Sequence, residues 1–89
     1  LEHRVVVEGR EVKLTPTEYE LLKVMLKYAG RVLTHKQLLK AVWGNEYDTD
    51  THYIRIYMRQ LRRKIEPDPA QPKYLITEAG IGYRLLGGE

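Results

Sequence analysis

The stretch from Thr51 to Ile65 constrains this chain more than any other feature: it carries Arg55, Arg59, Arg62, Arg63 and Lys64 and not one acid. Residues on a helix fall about 100° apart, so Ile54, Met58, Leu61 and Ile65 gather within about 60° of one another. An apolar stripe of that width has to face a core. The opposite side then holds His52, Ile56, Arg59 and Arg63, with Arg55 and Gln60 at its borders. The formal +5 of this stretch exceeds the +3 of the whole chain, so the remainder is slightly acidic and the positive field is local.

The rest of the chain must supply the core that the stripe packs against. Its 89 residues suffice for one domain and are too few for two. A domain of this size buries only about 60–65% of its unfolded surface, so a single compact core serves the whole chain. There is no Cys, which removes disulfide staples and thiolate metal sites and fits a reducing compartment. No apolar run approaches the ~18 residues that span a bilayer, and no signal-peptide pattern is present. The first residue is Leu rather than Met, and the chain is expected to be a fragment of a longer one.

Local signals order the elements. Arg4–Val7 and Glu11–Leu14 alternate around Glu8-Gly9-Arg10 and predict a hairpin. A first helix opens with Thr15 as N-cap, Pro16 at its first position and Glu18 completing a capping box. Leu21, Leu22, Met25, Leu26 and Ala29 follow at helical spacing, and Gly30 is expected to stop the helix. Arg31 to Leu33 is a short extended bridge. Thr34 and Gln37 form a second capping box, with Leu38, Leu39, Val42 and Trp43 on the apolar side and Gly44 at the end. The third helix is expected from about 49–51 to about Glu66, before Pro67. Tyr74–Thr77 and Tyr83–Leu86 are expected strands, turned by Ala79-Gly80-Ile81-Gly82. The order hairpin, three helices, hairpin is an α+β layout. It is that of a winged helix-turn-helix, with a C-terminal β-hairpin wing.

The exposed face of the third helix mixes residue types that suit a DNA groove. Arg can bridge guanine O6 and N7, Gln can pair with adenine, and an aliphatic side chain such as Ile56 can meet a thymine methyl. Arg predominates over Lys, which favours bidentate recognition. A basic helix face is more often only a solvated one. The absence of acids, an exposed Ile56 and the hairpin that follows tip the balance towards nucleic acid. The N-terminus of the second helix, near Thr34, His35 and Lys36, offers backbone N–H groups to a phosphate, although an ordinary capping box explains Thr34 and Gln37 equally well. Trp43 reads as core, with an indole N–H that could reach a phosphate from its edge.

Enzymatic chemistry fares badly. There is no Ser and no Cys, so the commonest acyl-transfer nucleophiles are missing. His3, His35 and His52 lack metal-ligand spacing. Glu18 and Glu20 diverge at i,i+2 and read as a cap and a surface charge. Gly80-Ile-Gly82 is half of a phosphate-loop signature and reads as a turn. No enzyme, no cofactor and no metal are expected. A protein-interaction winged helix, using its basic face on an acidic partner, is the alternative from another class. RNA binding is disfavoured because no sheet presents exposed aromatics for base stacking.

Leu14-Thr-Pro-Thr-Glu18-Tyr-Glu-Leu-Leu22, Gly30-Arg-Val-Leu-Thr34, Gln37-Leu-Leu, Val42-Trp-Gly44, Arg59-Gln-Leu-Arg62-Arg-Lys-Ile65 and Gly80-Ile-Gly82-Tyr-Arg84 run through the chain in order. Together they resemble the OmpR/PhoB family, the output domains of bacterial two-component response regulators. His52-Tyr-Ile-Arg-Ile-Tyr-Met58 and the Thr77-Glu-Ala-Gly-Ile-Gly-Tyr83 hairpin are most similar to the branch that controls potassium-transport genes. The resemblance implies an antiparallel platform, three helices and a wing across residues 1–89. It also implies a receiver domain outside this chain, phosphorylated by a sensor kinase in the bacterial cytoplasm. By position, it places a recognition helix over His52 to Arg63 and phosphate contacts at Arg59, Arg62, Trp43, Thr77 and Tyr83. Gln60 stands where some members have a base-reading Arg. The platform of the family often has four strands, and one hairpin is visible here. Glu78-Ala79 replaces the Arg that the wing often carries into the minor groove. Direct-repeat DNA sites, a head-to-tail pair and contact with RNA polymerase also follow from the resemblance.

The stretch from Gly44 to Asp50 is longer than a helix-turn-helix connection requires. It holds Glu46, Tyr47, Asp48 and Asp50. Either Asp48 or Asp50 simply caps the third helix, or an exposed aromatic among carboxylates anchors a basic patch on a partner such as RNA polymerase.

Overall fold

A computed structural model describes residues 3–44 and 52–86. The elements run β1 (His3–Val7), β2 (Arg10–Leu14), α1 (Pro16–Lys27), β3 (Val32–Thr34), α2 (His35–Trp43), α3 (His52–Ile65), β4 (Leu75–Glu78) and β5 (Gly82–Leu85). β1 and β2 form an antiparallel pair with Val5 opposite Val12. Glu8 and Gly9 both take positive φ, 52° and 79°, as a two-residue hairpin turn of the right twist demands. Val12 and Leu14 point into the core that α1, α2 and α3 close.

Both capping boxes form. Thr15 Oγ1 accepts from the Glu18 amide and Glu18 Oε1 from the Thr15 amide. Thr34 and Gln37 repeat the arrangement at α2. The end of α1 differs from the sequence expectation. The helix stops at Lys27, and Gly30 lies beyond it, donating its amide to Leu85 O at 2.8 Å. Ala29 is therefore outside the helix. Leu26 is exposed, because it lies about 40° past Leu22 on the helix surface and beyond the packed arc of Leu21, Leu22 and Met25.

The C-terminal hairpin is larger than the sequence suggested. The extended bridge after α1 is a strand, β3, and pairs with β5 to make a three-stranded sheet in the order β3-β5-β4. Its registers set Leu33 opposite Tyr83 and Thr77 opposite Tyr83 on the other side. β4 lies one residue later than expected, at Leu75–Glu78, and β5 one residue earlier, at Gly82–Leu85. The two glycines of Gly80-Ile-Gly82 have different duties. Gly80, at φ 75°, makes the turn, whereas a Cβ on Gly82 would lie 1.9 Å from the Leu33 carbonyl oxygen. Only hydrogen fits where β3 crosses.

Two buried carboxylates fix α3 in place. Glu18, 1% exposed, also accepts from Lys64 Nζ at 2.6 Å, which joins α1 to α3. Glu66, 3% exposed and just past the end of α3, accepts from the amides of Lys73, Tyr74 and Leu75 at 2.7, 2.9 and 2.7 Å. Three orphan donors at the entry to β4 are thereby satisfied by one side chain. Arg10 reaches across to the Lys64 carbonyl at the last turn of α3. Glu8 accepts from Lys73 and from the Tyr74 hydroxyl, which ties the first hairpin to the same loop.

Candidate nucleic-acid interface

On α3 the core stripe is as expected: Ile54, Met58, Leu61 and Ile65 are all buried. The opposite face presents Arg55, Ile56, Arg59, Gln60 and Arg63 to solvent, with Ile56 40% exposed. The His52 side chain lies outside the described residues, as do Glu46, Tyr47, Asp48 and the expected helix-capping residues at 49–51. Arg55, Arg59 and Arg63 have no ion-pair partner among the described residues, and together with Arg62, Pro69 and Tyr83 they line a depression of about 340 Å³. An anion entering it would meet guanidinium groups from several sides and, among the described residues that line it, no carboxylate.

The other two cations of the basic stretch have internal tasks. Lys64 is bound to Glu18. Arg62 donates from Nε and Nη2 to the Leu75 carbonyl, at 3.1 and 2.9 Å, and from Nη2 to Thr77 Oγ1 at 2.6 Å. Its guanidinium also lies 5.8 Å from the centre of the Tyr83 ring. Arg62 thus bolts α3 to the hairpin, and Thr77 is its partner there. Tyr83 is buried, edge-on to the His35 ring at 5.3 Å. Burial pushes the Tyr83 hydroxyl pKa up, with Arg62 and then Arg55 pulling it back, so the hydroxyl stays a proton donor at neutral pH.

Thr34 is engaged in its capping box, and Lys36 is exposed in the first turn of α2. Trp43 is half-buried against the core, stacks on Tyr53 at 6.5 Å between ring centres and packs against Tyr57 at 5.3 Å with the rings tilted by 49°. At the hairpin tip Ala79, Gly80 and Ile81 are exposed, and Ile81 is the largest apolar group there. Glu78 is bound to Arg84 at 2.7 Å, on the sheet face opposite Tyr83, and Arg84 Nε is buried without a partner. The described residues contain no cluster of His, Cys, Asp or Glu that could hold a metal ion, and no helix among them is long and apolar enough to cross a membrane.

Residues 9–85 match the family described as "Transcriptional regulatory protein, C terminal". The chain belongs to that family. Its type is that of OmpR and PhoB, and KdpE proteins are among its relatives. The KDP operon transcriptional regulatory protein KdpE of Escherichia coli K12 is 55% identical over 84 residues, covering 93% of this chain and 37% of that protein. KdpE of Mycobacterium tuberculosis H37Rv is 51% identical over 81 residues, 91% of this chain and 36% of that protein. Among solved structures, the response regulator DrrB of Thermotoga maritima, an OmpR/PhoB homologue, superposes with a TM-score of 0.80 at 30% identity, over 90% of this chain and 36% of that one. The chain thus spans little more than a third of the length of these relatives.

Within this C-terminal regulatory domain, sequence reading missed three arrangements. The Glu18–Lys64 pair gave no local signal, since its partners are far apart in the chain. His35 beneath Tyr83 is set by the β3–β5 pairing, which was also unforeseen. The Trp43–Tyr53–Tyr57 stack did have a signal: tyrosines at i and i+4 share one side of a helix.

Proposed function

We propose that this chain is the sequence-specific, double-stranded DNA-binding output domain of a bacterial two-component response regulator, and that it regulates transcription of the KdpE type, at potassium-transport genes. The observation that carries the reading is the solvent face of α3: Arg55, Arg59 and Arg63, without ion-pair partners among the described residues, surround Ile56 and Gln60 beside a C-terminal hairpin. A helix in the major groove needs that combination, cations for phosphates and a few neutral side chains for base edges. Arg55, Arg59 and Arg63 contact phosphates, Gln60 reads a base, and Ile56 meets a thymine methyl. Thr34, Lys36 and the N-terminus of α2 receive a further phosphate, with Trp43 and the Tyr83 hydroxyl at the borders. His52 opens the same helix. Arg62 and Thr77 act at the junction of α3 and wing.

In its full-length regulator the domain would work in the cytoplasm. A sensor kinase would control it through a receiver domain, and it would sit head-to-tail on direct repeats about 10–10.5 base pairs apart. Glu46, Tyr47 and Asp48 would contact RNA polymerase.

The test is selection of bound sequences from a randomised duplex pool, followed by titration across salt. Binding should yield a consensus, with log K falling against log salt at a slope of about −3 or steeper. Gln60→Ala should relax one consensus position by roughly 1–3 kcal/mol. An absence of duplex binding at low salt would discard the reading in favour of a basic surface for an acidic protein.

A further inference from the structure

The two flanks of α3 differ in kind. With residues about 100° apart, Arg55 and Arg59 project to one side of the line through Ile56 and Arg63, towards the hairpin. Tyr53, Tyr57 and Lys64 project to the other side, towards α2. The only cation of that second flank is Lys64, and it is bound to Glu18. What the flank presents instead is Tyr53, 41% exposed, with its ring within 25° of parallel to Trp43. Trp43 is itself wedged against Tyr57 and the core, so the direction of the Tyr53 ring is set by the fold rather than by DNA.

A helix is about 10–12 Å across and the major groove about 12 Å wide, so a helix lying in it turns each flank to one phosphate strand. We propose, on the footing of the DNA-binding reading above, that Tyr53 braced by Trp43 is a neutral backbone contact: its hydroxyl donates to a phosphate on the strand across the groove from the one met by Arg55 and Arg59. The grip on DNA is then asymmetric, one strand held by charge and the other by a pre-oriented hydroxyl. A neutral donor releases no counterion, so its contribution does not vary with salt, and a phosphate contact carries no base preference.

The experiment measures affinity of the chain for its selected duplex, with Tyr53→Phe compared with Arg59→Ala. Each phosphate is replaced in turn by a methylphosphonate. Tyr53→Phe keeps the ring and its stack on Trp43 and removes only the hydroxyl. It should weaken binding about tenfold at every salt concentration, leaving the salt slope and the consensus unchanged. One methylphosphonate should cost Tyr53→Phe much less than it costs the unaltered chain. That position should lie on the opposite strand from the one identified in the same way with Arg59→Ala. Tyr53→Phe binding as tightly as the unaltered chain would overturn the proposal, and so would coupling on the same strand as Arg59. Failure of the unaltered chain to bind any duplex would instead overturn the reading beneath it, a result distinguishable from both.

Discussion

The part of α3 up to Arg59 carries two Lys or Arg cations and the part after it three, and the two parts do different work. In the first part Arg55 and Arg59 face solvent without ion-pair partners among the described residues. In the last part Lys64 is held by Glu18, Arg62 by the Leu75 carbonyl and Thr77, and Glu66 closes the end by accepting three amides. Of the C-terminal cations only Arg63 remains on the groove face. The difference is one of surroundings. The C-terminal half runs between α1, the first hairpin and the wing, where carbonyls and carboxylates are within reach, while none of the described residues pairs with Arg55 or Arg59 in the N-terminal half. Half of a helix that looks like a uniform DNA-binding segment is therefore a structural hub.

The largest test of that division is Glu66→Ala. It would leave three amides at the entry to β4 without their acceptor, a side chain of a residue only 3% exposed. The expected loss is about 3–5 kcal/mol, a large share of the stability of a small domain, seen as a fall in the denaturation midpoint. Glu66→Gln keeps acceptor oxygen and should lose less. A loss under 1 kcal/mol for Glu66→Ala would show that the hub lies elsewhere.

Lys64→Met comes next. It strands the Glu18 carboxylate, 1% exposed, with only the Thr15 amide. Because the Lys64 side chain is itself about a third exposed, the cost is well below that of a fully buried pair, about 2 kcal/mol. DNA affinity measured well below the melting temperature should be unchanged, which a phosphate-contacting Lys64 would contradict.

Arg62→Ala and Arg59→Ala sharpen the comparison within one helix. Removing Arg62 should destabilise the fold by about 1–2 kcal/mol through its lost bonds to β4, and leave the salt slope of binding nearly intact. Removing Arg59 should change stability by less than about 0.5 kcal/mol and lower the slope by about one. Equal slopes for both variants would erase the distinction. The smallest effect is at the wing. Glu78→Gln releases Arg84 from its 2.7 Å partner and removes an acid near the tip, and should tighten binding about twofold. Weaker binding would mean that the tip does not face DNA.

Short-range chemistry was legible in the sequence. The two capping boxes, the presence of the first hairpin, the Ile54–Met58–Leu61–Ile65 stripe and the three-helix order depend on residues within a turn or two of one another, where spacing alone fixes geometry. The exposed face of α3 followed from the same periodicity. The tertiary structure decided which cations on that helix face outward, because Glu18, Leu75 and Thr77 are distant in sequence and adjacent only after packing. It also decided that Val32–Thr34 is a strand and that Gly82 must be glycine, since both depend on β3 lying beside β5. Periodicity sorts inside from outside along a single element. Which partner waits on the inside is set by the meeting of elements, and a charge on a helix becomes a brace or a DNA contact according to whether that meeting brings it an acceptor.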